Sequence, residues 1–141
     1  VIVGGADHPD QYSKNLKSGG AINEGIVFPG VLTEEELGPL YDNARLFIMS
    51  SYYEGFPITL LEALGHGCPC LVSDIPAHRI LPLPERHYYR PGDVTALTEK
   101  IRSAMMKNIS RENEGHLKKL VAEQYGWEHI AAETSRVYES L

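Results

Sequence analysis

Short apolar runs alternate with helical patterns along this chain, and that alternation constrains the fold more than any other feature. The runs are three or four residues long, end at turn residues, and cover residues 1–3, 26–28, 46–49 and 70–72. Apolar residues recur at helical spacing in 8–18, 33–41, 57–65, 97–109, 112–124 and 127–141, and a loop with a short edge strand is expected in 79–92. Such alternation is typical of a parallel sheet with helices on both faces. The sequence therefore predicts an α/β fold, a three-layer Rossmann-like domain with a mainly parallel sheet.

Size and charge narrow the classes of function. The length of 141 residues fits a single domain. The chain carries 13 basic and 19 acidic residues and builds no basic face, so nucleic acid is not expected as a partner. Its two cysteines, Cys68 and Cys70, are too few for a four-ligand zinc site or a disulfide framework. No metal and a cytoplasmic location are therefore expected. The chain opens at Val1 inside an apolar run, which predicts a piece of a longer protein.

The segment 50–67 follows a predicted strand and enters a predicted helix, the place where open parallel sheets bind ligands. Gly55 allows a ligand to approach the backbone closely. Pro57 suits the first helical position, because its missing N–H would have no helical partner. The amides of Ile58 and Thr59 would then point outward from a positive helix end. The segment therefore predicts an anion site that needs no basic patch.

Two carboxylates, Glu54 and Glu62, flank this helix start. A carboxylate accepts hydrogen bonds from neighbouring hydroxyls, and each charge-assisted bond contributes roughly 1.5–3 kcal/mol. Hydroxyls at both ends with phosphates between them describe a nucleotide sugar. On spacing alone an alternative stays open: Glu62 only complements the helix dipole, and Glu54 is a solvated loop residue.

In its strand-to-helix context, Glu54-x7-Glu62 resembles the signature of the family 4 retaining glycosyltransferases, in their carboxyl-terminal, nucleotide-sugar-binding half. The resemblance covers nearly the whole chain and looks most like bacterial or archaeal enzymes that build surface polysaccharides. Supporting motifs occur in the same order and spacing: VGG at 3–5, FPGVL at 28–32, ARLFI at 44–48, SDIP at 73–76, PGD at 91–93 and YGWE at 125–128.

The resemblance implies a two-domain GT-B enzyme, of which residues 1–141 would be one donor-binding, carboxyl-terminal domain. The first strand of that domain and the N-terminal acceptor domain would be missing. The implied reaction moves a hexosyl unit from a nucleotide diphosphate sugar to a glycan or lipid-linked acceptor, with neither metal nor cofactor. Only the longer parent enzyme would associate peripherally with a membrane.

The resemblance also assigns residues. Glu54 would contact the transferred sugar as the catalytic residue, and Glu62 the ribose hydroxyls. Backbone contacts to the base would come from Gly30, Val31 and Leu32, and contacts to sugar and diphosphate from Gly55, Phe56, Pro57, Ile58 and Thr59. Pro57 replaces a glycine found in many members, and a loop that supplies Arg and Lys to the diphosphate is not in this sequence. The 141 residues alone are therefore expected to bind donor weakly and to be inactive.

Two rival functions remain open. A GT-B nucleotide-sugar epimerase half would share the helix-end anion site, but it would lack Glu-x7-Glu in this register. A non-catalytic α/β regulatory module of the receiver type needs an acidic cluster and a phosphorylatable aspartate. Asp74 is the only aspartate that ends a predicted strand. Elsewhere, His78 is expected in a solvated loop, with a place near the donor cleft as the alternative, and Trp127 is expected to anchor the core.

Overall fold

The computed structural model describes residues 1–6, 8–21, 25–106 and 115–141. Within them, the helices and strands follow the predicted alternation from β1 onward. The elements are α1 (Gln11–Ala21), α2 (Glu34–Asn43), β1 (Phe47–Met49), α3 (Ile58–Gly65), β2 (Cys70–Ser73), α4 (Pro76–Arg79), a 3-10 turn (Glu85–His87), β3 (Tyr88–Tyr89), α5 (Val94–Met106), α6 (Gly115–Tyr125) and α7 (Trp127–Glu139). Position 109 and the start of the helix predicted near 112 lie outside the described residues.

The sheet is parallel, with strand order β1-β2-β3. Phe47 lies opposite Cys70 and Met49 opposite Val72, while Val72 also lies opposite Tyr88 on the other side. Parallel neighbours need a crossover, and α3 supplies it between β1 and β2. Every residue of the central strand β2 is buried, as expected for a strand paired on both edges. The predicted parallel α/β architecture with flanking helices is confirmed.

The chain forms two compact units, Val1–Pro39 and Leu40–Leu141. In the first unit, segments 1–3 and 26–28 do not form strands. A single parallel bridge joins Val3 to Gly30, and Ile2 N donates to the Val27 carbonyl over 2.8 Å. The side chains of residues 1–3 are exposed, because no described element of this unit covers them. The prediction that the apolar runs at 1–3 and 26–28 are strands is wrong. That the two units belong to one domain stays a prediction.

The helix predicted over 8–18 extends further than expected, because α1 continues through Gly19 and Gly20 to Ala21. Gly20 is buried, and a Cβ atom on it would collide with the Phe28 ring. Glycine is therefore needed at this position for the close approach of a ring, and it does not end the helix.

The core of the second unit lies between the sheet and helices α3 and α6. Leu60 and Leu64 of α3 are 0% and 1% exposed, and they belong to one cluster with Val72 of β2 and Leu117 of α6. Burial of one such leucine contributes roughly 1.5–3 kcal/mol. One face of α3 is thereby anchored, and its opposite face, which carries Glu62, is exposed.

Trp127 is not a core anchor: 85% of its surface is exposed. It begins α7, which has no buried residue within the described chain. A tight turn at Gly126 joins α6 to α7, and a Cβ atom there would collide with the Ala122 carbonyl. The turn brings α7 against α6 and leaves the indole outside the core, so the prediction is wrong.

Candidate functional site

The junction between loop 50–57 and α3 differs in one detail from the sequence prediction. Pro57 is the N-cap and the helix begins at Ile58, one residue later than predicted. The Ile58 amide does not point outward, because it donates to the Phe56 carbonyl over 3.0 Å. The Thr59 amide has no acceptor among the residues that the structure describes. The Thr59 amide is therefore the available donor at this helix end, whereas the Ile58 amide is already used.

The other end of α3 is closed by a Schellman motif. Gly67 has a φ of +66°, and its amide donates to the Leu64 carbonyl over 2.8 Å. The Cys68 amide donates to the Ala63 carbonyl, also over 2.8 Å. These bonds satisfy two of the last carbonyls of the helix, so the position of α3 is defined by its end as well as by its buried face.

Glu54 lies half-buried on the loop, and a chain of hydrogen bonds that reaches the end of β2 holds it in position. The Ser51 hydroxyl donates to Glu54 Oε1 over 2.6 Å. The Ser73 hydroxyl, at the end of β2, donates to the Ser51 carbonyl over 2.5 Å. His78 Nδ1 lies 2.7 Å from the Ser73 carbonyl, which can only accept, so Nδ1 carries the proton. These contacts tie the loop to the carboxyl end of the central strand.

Glu62 lies in the second turn of α3 and is exposed, yet one of its oxygens has a protein partner. The Tyr41 hydroxyl donates to Glu62 Oε2 over 3.0 Å. Tyr41 is buried; its ring is stacked on His66, with centroids 5.5 Å apart, and lies edge-on to Phe47 at 5.9 Å. Burial and the Glu62 carboxylate raise the pKa of Tyr41 well above its usual value, so the phenol keeps its proton and acts as a donor.

The three predicted base contacts, Gly30, Val31 and Leu32, belong to the first unit. Gly30 has a φ of +86°, and Val31 is 80% exposed. Their contact with a nucleotide base stays a prediction.

Comparison with known proteins identifies the family. A family model described as "Glycosyl transferases group 1" matches residues 1–107. The chain belongs to this family. The resemblance inferred from Glu54-x7-Glu62 is thus confirmed.

The chain is 31% identical over 121 residues to the O-antigen chain mannosyltransferase B of Escherichia coli, covering 82% of the chain and 30% of that protein. It is 32% identical over 90 residues to the lipopolysaccharide 1,6-galactosyltransferase of E. coli K12, covering 62% and 24%. Sucrose-phosphate synthase from Thermosynechococcus elongatus has the same fold, with a TM-score of 0.85 at 21% identity over 98% of this chain and 37% of that one. The chain therefore spans 24–37% of the length of these proteins, and its fold is that of the carboxyl-terminal half of a GT-B enzyme.

Sequence reasoning missed the side chains that support Glu54 and Glu62. Tyr41 is 21 positions from Glu62, and the contact of Ser73 with Ser51 spans 22 positions. Neither spacing carries a local signal. Ser51 lies three residues before Glu54, so its contact could have been found from the sequence. His78 is fully buried, so its expected place in a solvated loop is wrong; its Nδ1 donates to the Ser73 carbonyl.

Asp74 follows β2 and is engaged by Arg79. The guanidinium donates to both carboxylate oxygens over 2.6 and 2.8 Å, also donates to Glu85, and lies 3.8 Å above the Tyr88 ring. These bonds lower the pKa of the Asp74 and Glu85 carboxyls. An aspartate held in an ion pair of this kind is a poor candidate for the phosphorylation site of a regulatory module.

Burial raises the pKa of a group that we call the three buried tyrosines, namely Tyr41, Tyr88 and Tyr89. Within the described ranges, no group of three or more His, Cys, Asp or Glu side chains is arranged to hold a metal ion. Over the same ranges, no helix has the length and apolar character needed to cross a membrane.

Proposed function

We propose that this chain is the donor-binding part of a hexosyltransferase that uses a nucleotide diphosphate sugar. The observation that carries the proposal is the α3 junction: Glu54 and Glu62 stand on either side of a helix start whose Thr59 amide is unused within the described chain. Neither carboxyl group is buried in the interior. The relatives named as a mannosyltransferase and a galactosyltransferase support a hexosyl donor.

In this proposal, the two carboxylates bind different parts of the donor. Glu54 accepts hydrogen bonds from hydroxyls of the transferred sugar, and Glu62 from the ribose. The diphosphate lies at the amino end of α3, where the Thr59 amide and the helix dipole favour negative charge. Phe56, Pro57 and the Gly55 backbone border the sugar.

The reaction proposed for the parent enzyme follows the retaining course implied by its family. The acceptor oxygen bonds to the anomeric carbon on the face from which the diphosphate leaves, while the bond from carbon to the diphosphate oxygen breaks. The acceptor proton passes to the departing diphosphate. Negative charge grows on that group as it leaves, so a helix end already directed at it stabilises the transition state more than the ground state.

The acceptor is proposed to be a glycan or a lipid-linked sugar in surface polysaccharide synthesis, because the relatives act on O-antigen and lipopolysaccharide by name. The chain corresponds to about a third or less of their length. We therefore propose that these 141 residues alone do not transfer sugar, and that an N-terminal domain of the same enzyme binds the acceptor.

Calorimetric titration of the full-length parent protein tests the donor assignment. The probes are UDP-, GDP- and ADP-hexoses, and the variants are Glu62→Ala and the exposed control Glu123→Ala. One nucleotide sugar should bind, and Glu62→Ala should weaken it about tenfold or more, in line with a charge-assisted bond of roughly 1.5–3 kcal/mol. Glu123→Ala should bind like the unchanged protein. Absence of binding by all three donors, or equal affinities for the two variants, would refute the proposal.

A further inference from the structure

We propose that the hydroxyls of Tyr41 and Ser51 are positioning groups for the donor, each of which holds one oxygen of one carboxylate and leaves the other oxygen to the ligand. Tyr41 acts through Glu62 and Ser51 acts through Glu54. The inference rests on the proposed function and deepens it, because it states how two exposed or half-exposed carboxylates come to have a defined direction before a donor binds.

The Tyr41–Glu62 contact joins a fixed group to a mobile one. The tyrosine ring is 9% exposed and packs between Phe47 and His66, so its hydroxyl has little freedom. Glu62 is on the exposed face of α3, where an unsupported glutamate samples several rotamers. The 3.0 Å bond to Oε2 selects among those rotamers. Oε1 has no protein donor in the part of the chain that the structure describes.

The Ser51–Glu54 contact has the same form and deeper support. Ser51 donates to Oε1 over 2.6 Å, and its own carbonyl is held by Ser73, whose surface is 0% exposed. His78, also 0% exposed, lies against the Ser73 carbonyl. These hydrogen bonds thus fix the loop that carries Glu54 to the buried end of β2. Oε2 of Glu54 has no donor among the described residues.

Both partners are neutral hydroxyls, and this matters for ligand binding. A lysine or arginine at either place would neutralise the carboxylate and compete with a sugar hydroxyl. A hydroxyl donor orients the group and leaves its charge available. The two pairs serve different halves of the donor. Loss of the Tyr41 hydroxyl should therefore weaken a nucleotide and a nucleotide sugar alike, whereas loss of the Ser51 hydroxyl should weaken only the nucleotide sugar.

The test first finds which of UDP, GDP and ADP, and which of their hexose conjugates, the full-length parent protein binds. The affinities of the variants are then measured for that nucleoside diphosphate and for its hexose conjugate. Tyr41→Phe should weaken the nucleoside diphosphate and its hexose conjugate by the same factor, about 3- to 10-fold. Ser51→Ala should weaken the hexose conjugate by about that factor and leave the nucleoside diphosphate unchanged. Ser51→Thr, which keeps a hydroxyl, should restore binding.

Two matched controls remove hydroxyls of the same kind elsewhere. Tyr88→Phe loses a 2.9 Å bond to the Leu81 carbonyl, and Ser140→Ala loses a 2.7 Å bond to the Val137 carbonyl. Both should bind both ligands as the unchanged protein does. A loss in the controls equal to that of Tyr41→Phe or Ser51→Ala would show a general effect of destabilisation and would overturn the positioning role.

A double variant separates positioning from a merely structural role. If Tyr41 acts through Glu62, Tyr41→Phe should have no further effect on affinity in the Glu62→Ala background. A further loss in that background, or no loss from Tyr41→Phe in the unchanged protein, overturns the proposal while the donor site stands. An unchanged affinity for Glu62→Ala by itself overturns the proposed function, and this inference with it.

Discussion

Replacing Gly67 by alanine tests whether a left-handed residue determines where α3 ends. Gly67 has a φ of +66°, and a Cβ atom there would lie 3.8 Å from Lys118 Cδ, an ordinary contact. The change is therefore expected to act through backbone conformation without a steric clash. Alanine in this region is less stable than glycine by roughly 1–2 kcal/mol. The lower entropy of the unfolded alanine chain offsets about 0.4–1 kcal/mol. The net expected loss of unfolding free energy is about 1 kcal/mol.

Gly65→Ala is the matched control, because Gly65 lies inside α3 and only two positions before Gly67. Gly65 is the last residue of α3, and a Cβ atom there would meet nothing within 4 Å. Alanine is a better helix former than glycine, so this variant should gain about 0.5–1 kcal/mol. The same chemical change should therefore have opposite signs at the two positions.

Urea unfolding followed by circular dichroism measures both variants. With a slope of about 2 kcal/mol per M, the two midpoints should lie roughly 1 M apart on either side of the unchanged protein. Gly67→Asn should lose less than Gly67→Ala, because asparagine tolerates the left-handed region better. Shifts of the same sign for Gly65→Ala and Gly67→Ala would refute the reasoning about the helix end.

Three further predictions concern the core and the titrating groups. Leu64 is 1% exposed, so Leu64→Ala leaves a cavity and should lower the unfolding free energy by about 2–5 kcal/mol in denaturant titrations. A change within about 0.5 kcal/mol would mean that the side chain is not packed. Because burial raises the pKa of the three buried tyrosines, the stability they contribute is complete below about pH 10 and is lost as pH rises through their folded pKa values. Urea midpoints that stay constant into the alkaline range would contradict this. Arg79 lowers the pKa of Asp74, so the stability from their pair is present above about pH 4 and is lost as pH falls through the lowered value. Arg79→Gln should flatten the acid profile and the exposed control Arg136→Gln should not; identical profiles would exclude the pair as the source.

Much of the fold could be read from local patterns. The apolar runs at 46–49 and 70–72 predicted β1 and β2, and the spacing of apolar residues predicted α3 within one residue of its start. The first unit was harder, because three β-branched residues at 1–3 have strand propensity whatever covers them. Their exposure depends on neighbours that the run itself does not specify.

The candidate site shows the same division. The block from Glu54 to Glu62 is contiguous, so its spacing, its turn and its helix were legible in one stretch of sequence, and the family followed from it. The hydrogen bond from the Ile58 amide to the Phe56 carbonyl could not be predicted, because it depends on the local path of the backbone at Pro57.

The sequence by itself determined the alternation of strands and helices from β1 onward and the presence of two acids around a helix start. Only the tertiary structure decided that Tyr41 holds Glu62, that His78 is buried and that Trp127 is exposed. The physical reason is that periodicity and turn preference act between residues close in the chain. Burial and long-range hydrogen bonds are set by which distant segments pack together, and no residue carries that information alone.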